Sequence, residues 1–269
     1  MQPLVKWAGG KRRVLPNTIP YFPASYNRYV EPFLGGGAVF WYLQTQVAKA
    51  TDTNSDLINL YHTVRDFPDM LIYLLDALAT EYNKAPRDTY MSVRASYNQN
   101  IGKTDTIQAA RFLFLNKTCF NGLYRVNQKG LFNVPFGQRE KAPQLYILDN
   151  LVGISKYLNQ PGITINKQDF KEVLQECGNG DFVYLDPPYI HERGFTSYSA
   201  GSFVRKDYED MVELLHIANQ NGAKIVVSNS LDDCKLFHGF KQYIIERSTS
   251  ISGFTNVRIK SPEYIYCLG

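Results

Sequence analysis

At 269 residues, the chain can hold one large α/β domain, or a domain carrying an insertion, around a core that needs no disulfides. Hydrophobic residues at 44% and charged residues at 20% exclude a disordered chain, and no run of about 18 apolar residues offers a membrane span. The net charge is only +4 but uneven: residues 1–55 carry +4, residues 84–141 carry +7 and the remainder −7, a basic middle on an acidic frame that suits phosphate neutralisation on one face.

Residues Met1 to Arg13 are polar and basic rather than apolar, so an export signal is not expected. A strand is predicted over Tyr29–Phe33, running into Gly35, Gly36 and Gly37 and then the start of an amphipathic helix at Ala38. Residues 56–145 read as an insertion, with helical periodicity in Leu57–Val64, Met70–Tyr82 and Ile107–Leu115, then a polar, Gly- and Asn-rich stretch from Asn116 to Gly137. Strand-like runs follow at Ile163–Ile165, Asp181–Leu185, Lys224–Ser228, Gln242–Glu246 and Glu263–Leu268. Several are apolar throughout, as strands of a parallel sheet covered on both faces must be. Asp207–Asn221, with Met211, Leu214, Leu215 and Ala218 at helical spacing, supplies part of the cover. The four cysteines, Cys119, Cys177, Cys234 and Cys267, form no CxxC pair, so neither a zinc site nor any other metal is expected and a reducing cytoplasm is the natural setting. The 19 Tyr and 16 Phe are mostly core material, with a hint of base stacking.

The strand entering Gly35 to Gly37 has the form of a nucleotide-type pocket, because glycines let the backbone turn tightly and approach a ligand. It lacks the GK[ST] of a phosphate loop, and the third glycine of the dinucleotide fingerprint is displaced, which disfavours pyrophosphate. Asp52 stands where an acid at the end of the next strand holds a ribose hydroxyl pair; its bland alternative is a helix cap, a task Ser55 or Asp56 could take for a helix starting at Leu57. The strongest signal is Asp186-Pro187-Pro188-Tyr189, at the end of the buried run Asp181–Leu185. Two prolines end the strand and aim carbonyl oxygens out of the carboxyl edge of the sheet. That arrangement suits methylation of an exocyclic amine, whose lone pair is spread into a purine ring until two acceptors localise it. Asp186 and the Pro187 carbonyl would be those acceptors, and Tyr189 would stack on a base rotated out of the duplex. Cytosine-C5 chemistry needs a Cys nucleophile on a turn, and none of the four sits at one.

With these residues assembled, the chain resembles the Dam-type adenine-N6 DNA methyltransferases over nearly its whole length. Five blocks carry the resemblance in order: Lys6-Trp7-Ala8-Gly9-Gly10-Lys11, Glu31 to Gly37, Asp52 to Asp56, Asn121 to Gly137, and Asp186 to Tyr189. The resemblance implies a Rossmann-like class I methyltransferase fold: a seven-stranded, mostly parallel sheet flanked by helices, with a last hairpin adding an antiparallel strand. It implies S-adenosylmethionine as donor, with Trp7 beside the adenosine, Lys11 near the methionine end, Phe33, Gly35 and Gly37 lining the pocket, Asp52 on the ribose, Asp169 at the adenine edge and Asp186 also in contact with the donor. Residues 1–55 and 146–269 would form the donor-binding catalytic domain and 56–145 a helical target-recognition domain.

In that insertion, Arg125 resembles the base-reading arginine, which fits the preference of a guanidinium for the paired acceptors of guanine. Leu123 and Pro135 resemble apolar contacts to a thymine methyl, Asn121 a neighbour in the same groove, Phe120 a wedge into the base stack and Lys6 a contact to the guanine 5′ of the target. The implied partner is double-stranded DNA, read at GATC, with no membrane and no obligate protein partner. Many relatives place an Arg directly after the Phe-Gly pair, whereas this chain has Gln138 and then Arg139, which leaves one backbone contact to Arg139. A branch of the family reads a longer site beginning GAT. Two rivals stand beside this reading: an RNA amino-methyltransferase with the same turn, and a DNA-binding protein that has kept the fold without the reaction.

Overall fold

The computed structural model describes residues 1–188, 203–230, 232–250 and 258–269, with side chains left out at 247–250 and 258–261. Seven strands form one sheet: β1 (Arg28–Glu31), β2 (Ala48–Asp52), β3 (Ile163–Lys167), β4 (Asp181–Leu185), β5 (Lys224–Asn229), β6 (Lys241–Ser250) and β7 (Arg258–Leu268). Their order is β3-β2-β1-β4-β5-β7-β6. The first five are parallel, and β7 enters antiparallel between β5 and β6. This is the expected mostly parallel α/β sheet, including the antiparallel strand of the last hairpin.

The period of two along each strand divides the core. In β4, buried at all five positions, Phe182 and Tyr184 join one apolar cluster while Val183 and Leu185 join the other. Register between β1 and β4 is pinned by a two-pronged Arg28–Asp181 pair, at 2.9 and 2.7 Å, between residues directly opposite each other. The chain winds from β1 through β2 to β3 on one side and places β4 on the other. The order therefore reverses between β1 and β4, and the crevice beyond their carboxyl ends is where such sheets bind ligands.

Strand β1 ends at Glu31 rather than at Phe33, because Pro32 has no N–H to give a ladder. Strand β2, implied only by Asp52 at its end, is a short Ala-Lys-Ala-Thr-Asp run. The last two strands are longer than their apolar cores, since β6 and β7 continue pairing with each other to Ser250 and Arg258, past the part of β7 that meets β5.

Short helices α1 (Leu15–Thr18) and α2 (Ala38–Leu43) flank β1. Four longer ones follow β2: α3 (Ser55–Asp66), α4 (Pro68–Lys84), α5 (Pro86–Gln99) and α6 (Thr106–Thr118). The cap of α3 is Asn54, whose side chain accepts from the N–H groups of Asp56 and Leu57, so neither Ser55 nor Asp56 serves and the helix begins two residues before Leu57. Helix α3 packs on β2 and β3 as well as on α6 and α7 (Leu148–Leu158). Helix α6 is buried almost all round, from Gln108 to Asn116, with α3, α4 and α5 about it. Helix α5 was not legible as a periodic element; its buried stripe is Tyr90, Val93 and Tyr97. Helices α8 (Phe170–Gln175) and α9 (Arg205–Gln220) cover the other face. No helix among the described residues is long and apolar enough to cross a membrane.

Candidate active site

A cleft of about 1480 Å³ opens at the sheet's reversal point. It gathers Trp7, Lys11, Phe33, Gly35, Gly37, Asp52, Asp169, Asp186 and Pro187, brought from four strand ends and the N-terminal segment. Lys6 lines it too, whereas Phe120, Asn121, Leu123 and Arg125 stand apart, on the exposed loop after α6. Tyr189 lies outside the described residues.

Each wall has a local cause. Gly35 takes φ +48°, and a Cβ there would sit 2.7 Å from the Trp7 ring, so the absent side chain is what lets the indole lie on the turn. The Gly35 N–H donates to Asp52 Oδ2 at 2.9 Å, and the Asn54 N–H to Oδ1 at 2.9 Å, which fixes the carboxylate at the end of β2. Burial pushes the Asp52 carboxyl upward while those backbone N–H groups pull against it. Phe33 stacks on Phe170 with ring centres 5.3 Å apart, and Asp169 caps α8 through the Lys171 N–H at 2.9 Å. Glu31, quoted in the glycine block but not singled out, is 2% exposed and lines the cleft. Its carboxyl is pushed up to about 8 by burial, with the negative charges of Asp186 and Asp52 adding and the Tyr29 hydroxyl, which donates to Oε2 at 2.8 Å, opposing. An acid followed by proline at a strand end was the available signal.

At the end of β4, Asp186 Oδ1 lies 3.0 Å from Lys11 Nζ, which also meets Glu263 Oε1 of β7 at 2.5 Å. The turn behind it is held by α9, where Tyr208 donates to the Pro188 carbonyl at 2.9 Å and accepts from Asn229 Nδ2 at 2.9 Å. Pro187 is buried and Pro188 exposed.

The loop after α6 is a small hairpin with antiparallel bridges Cys119–Phe136 and Val126–Phe132. Helix α5 supports it from one face: Tyr90 and Arg94 donate to the Val134 carbonyl at 2.7 and 3.2 Å, and Asn98 pairs with both backbone groups of Phe132. On the hairpin, Arg125 Nε donates to Asn133 Oδ1 at 2.8 Å, which orients the guanidinium. Asn121 takes φ +54°, and Phe120 is half exposed. Pro135 and Arg139 line a separate groove with Arg87 and Arg94.

Two residues join hairpin and cleft, and neither stood out in the sequence. Asn116, buried at the end of α6, accepts from the Lys6 N–H and donates to the Lys6 and Gly122 carbonyls, at 2.8, 2.8 and 3.2 Å. Tyr124 stacks on Trp7 at 5.3 Å, and its hydroxyl and that of Tyr97 both donate to Asp56 Oδ2. The Lys117 ammonium, also in the cleft, is brought down to about 8 by burial and by the charge of Lys6.

The sequence profile of the D12 class N6 adenine-specific DNA methyltransferases matches residues 7–251. The chain belongs to this family. Among similar proteins, the type II methyltransferase M1.LlaDCHI of Lactococcus lactis subsp. cremoris is 38% identical, covering 98% of this chain and 94% of its own. The type II methyltransferase M.MjaIII of Methanocaldococcus jannaschii is 36% identical with 94% of each chain covered. A DNA adenine methylase of Serratia marcescens is 30% identical over 92% and 91%. For a D12-class enzyme, the cleft supplies an acidic acceptor at a strand end, a buried carboxyl whose proton is held more tightly than usual and an aromatic wall, a set able to orient an amine and to receive positive charge.

Proposed function

We propose that this chain transfers the methyl group of S-adenosylmethionine to N6 of adenine in duplex DNA, within GATC, on a base rotated out of the helix. The observation that carries the reading is Asp186 with Pro187 at the carboxyl end of β4, on the cleft that also holds Glu31 and the glycine turn. The residues present fit the donor. Asp52, its carboxylate oriented by two backbone N–H groups, would hold the ribose hydroxyls. Phe33 and Trp7 would flank the adenine and Asp169 meet its edge, while Glu31 would take the cationic amino group, giving up its proton as the donor binds. When bound, the donor supplies an electrophilic methyl group on a sulfonium centre.

The remaining work falls to the protein. Asp186 and the Pro187 carbonyl accept the two amino hydrogens of the target, and Tyr189 stacks on its ring. No strong base is needed, because the amine becomes acidic as it gains the methyl and a positive charge. Residues 1–55 and 146–269 form the catalytic domain and 56–145 read the DNA, Arg125 toward guanine, Leu123 and Pro135 toward a thymine methyl, Asn121 in the same groove, Phe120 into the stack, Lys6 5′ of the target and Arg139 on the backbone. The family membership and the relatives' names support DNA adenine as the target over an RNA base. The setting is cytoplasmic.

The test is to incubate the protein with unmodified plasmid DNA and labelled donor and to map every modified adenine. The expected pattern is N6-methyladenine confined to GATC. Modification at longer GAT-containing sites alone would move the assignment to that branch, and competition by structured RNA but not duplex DNA would reject the reading.

A further inference from the structure

We infer that Glu263, on the last strand, is a positioning residue for methyl transfer: it anchors Lys11 so that Asp186 keeps the orientation and negative charge with which it receives the target amine. The inference rests on the reading of Asp186 given above. Three contacts carry it. Lys11 Nζ meets Glu263 Oε1 at 2.5 Å and Asp186 Oδ1 at 3.0 Å, and Ser228 Oγ donates to the same Glu263 oxygen at 2.8 Å. Lys11 is 3% exposed and Glu263 is fully buried, whereas Asp186 keeps 20% of its side chain open. Asp186 is the most open of the three to the cleft.

The charges decide what the arrangement is for. A buried lysine facing Asp186 alone would be a neutral pair, and its ammonium would compete with the incoming amine for the carboxylate. A second carboxylate on the sealed side draws the ammonium back and adds negative charge beside the place where the amine turns cationic. Burying an extra charge for stability alone is a poor device, since apolar residues of the same volume do as well or better. Among the described residues, the groups around Asp186 include Lys11 from the N-terminal turn, Glu31 from β1, Tyr184 from β4 and, through Lys11, Glu263 from β7, with Asp52 coupled through Glu31.

Glu263→Gln keeps the volume and removes the charge. The expected result is a fall in kcat of about tenfold, with donor and DNA affinities, measured by calorimetry, changed by less than about threefold. The acid limb of the kcat profile should move to lower pH, because loss of the Glu263 charge lets Lys11 act more strongly on Asp186 and makes it a weaker base. Wild-type kcat and an unmoved limb in the folded variant overturn the role. Should the glutamine variant fail to fold, Glu263→Asp, which keeps the charge and withdraws it by one methylene, takes its place. A kcat loss of threefold or more with unchanged affinities sustains the role, and wild-type kcat overturns it. Absence of methyl transfer by the wild-type chain would reject the reaction itself, whereas transfer by the wild type together with an unaltered Glu263→Gln rejects the positioning role alone.

Discussion

Glu31 keeps its proton up to about pH 8 because burial strips its carboxylate of water, and the hydroxyl of Tyr29 offsets only part of that. In the unfolded chain the same group ionises near 4.5. Its contribution to stability is therefore intact below about pH 4.5, declines as pH rises and is fully lost above about pH 8. Glu31→Gln removes this dependence. Thermal melts should show the variant gaining on the wild type between pH 5 and pH 9, by on the order of a few kcal/mol; parallel curves would mean the carboxyl is ionised in the folded protein. Asp186 is the opposite kind of acid, open to the cleft and held by Lys11. Asp186→Ala should cut methyl transfer by about 100-fold or more while DNA affinity stays within a few-fold; gel-shift titration beside single-turnover kinetics checks both, and substantial turnover would remove the carboxylate from the reaction.

At the scale of elements, the hairpin after α6 is held from three sides: by α5 beneath, by Asn116 at its root and by Tyr124 on Trp7. Asn116→Ala removes the partner of the Lys6 N–H and of two carbonyls, in a place buried at Gly122 and partly buried at Lys6, and should lower stability by about 1 to 3 kcal/mol in urea unfolding. Arg125→Ala, by contrast, should cost about 1 to 3 kcal/mol of discrimination at one base pair and little elsewhere. Equal weakening on all sequences would make it a phosphate contact instead. Much of this level was legible beforehand. Strand β4 and the Asp186 turn stand out because a strand buried on both faces must be apolar throughout, and because two prolines can end it in few ways. Helix α5 was not, since its buried stripe is only Tyr90, Val93 and Tyr97, and its Arg94 and Asn98 look like solvent residues until a hairpin backbone lies against them. Strand β2 hid for a related reason: two alanines and a lysine have little strand character of their own.

For the whole molecule, the uneven charge noted in the sequence meets a groove where Arg87, Arg94 and Arg139 converge, on the side of the hairpin that carries Pro135. DNA affinity should fall steeply with salt, and replacing Arg94 by Ala should flatten the log–log slope by about one; an unchanged slope would place the phosphates elsewhere. Local motifs announced most of the cleft, whose parts are short blocks at strand ends. Glu263 could not be announced that way, because nothing near it in the chain marks it as part of a site.

The ammonium of Lys11 and the carboxylate of Glu263 are separated by 252 positions in the chain. During synthesis the lysine emerges long before its second carboxylate, so this corner of the molecule is finished only when β7 has left the ribosome. Contacts of such sequence separation form slowly, since the loop must close before they are rewarded. A chain stopped before β7 thus holds helices α3 to α6 while its cleft still lacks the carboxylate that meets Lys11.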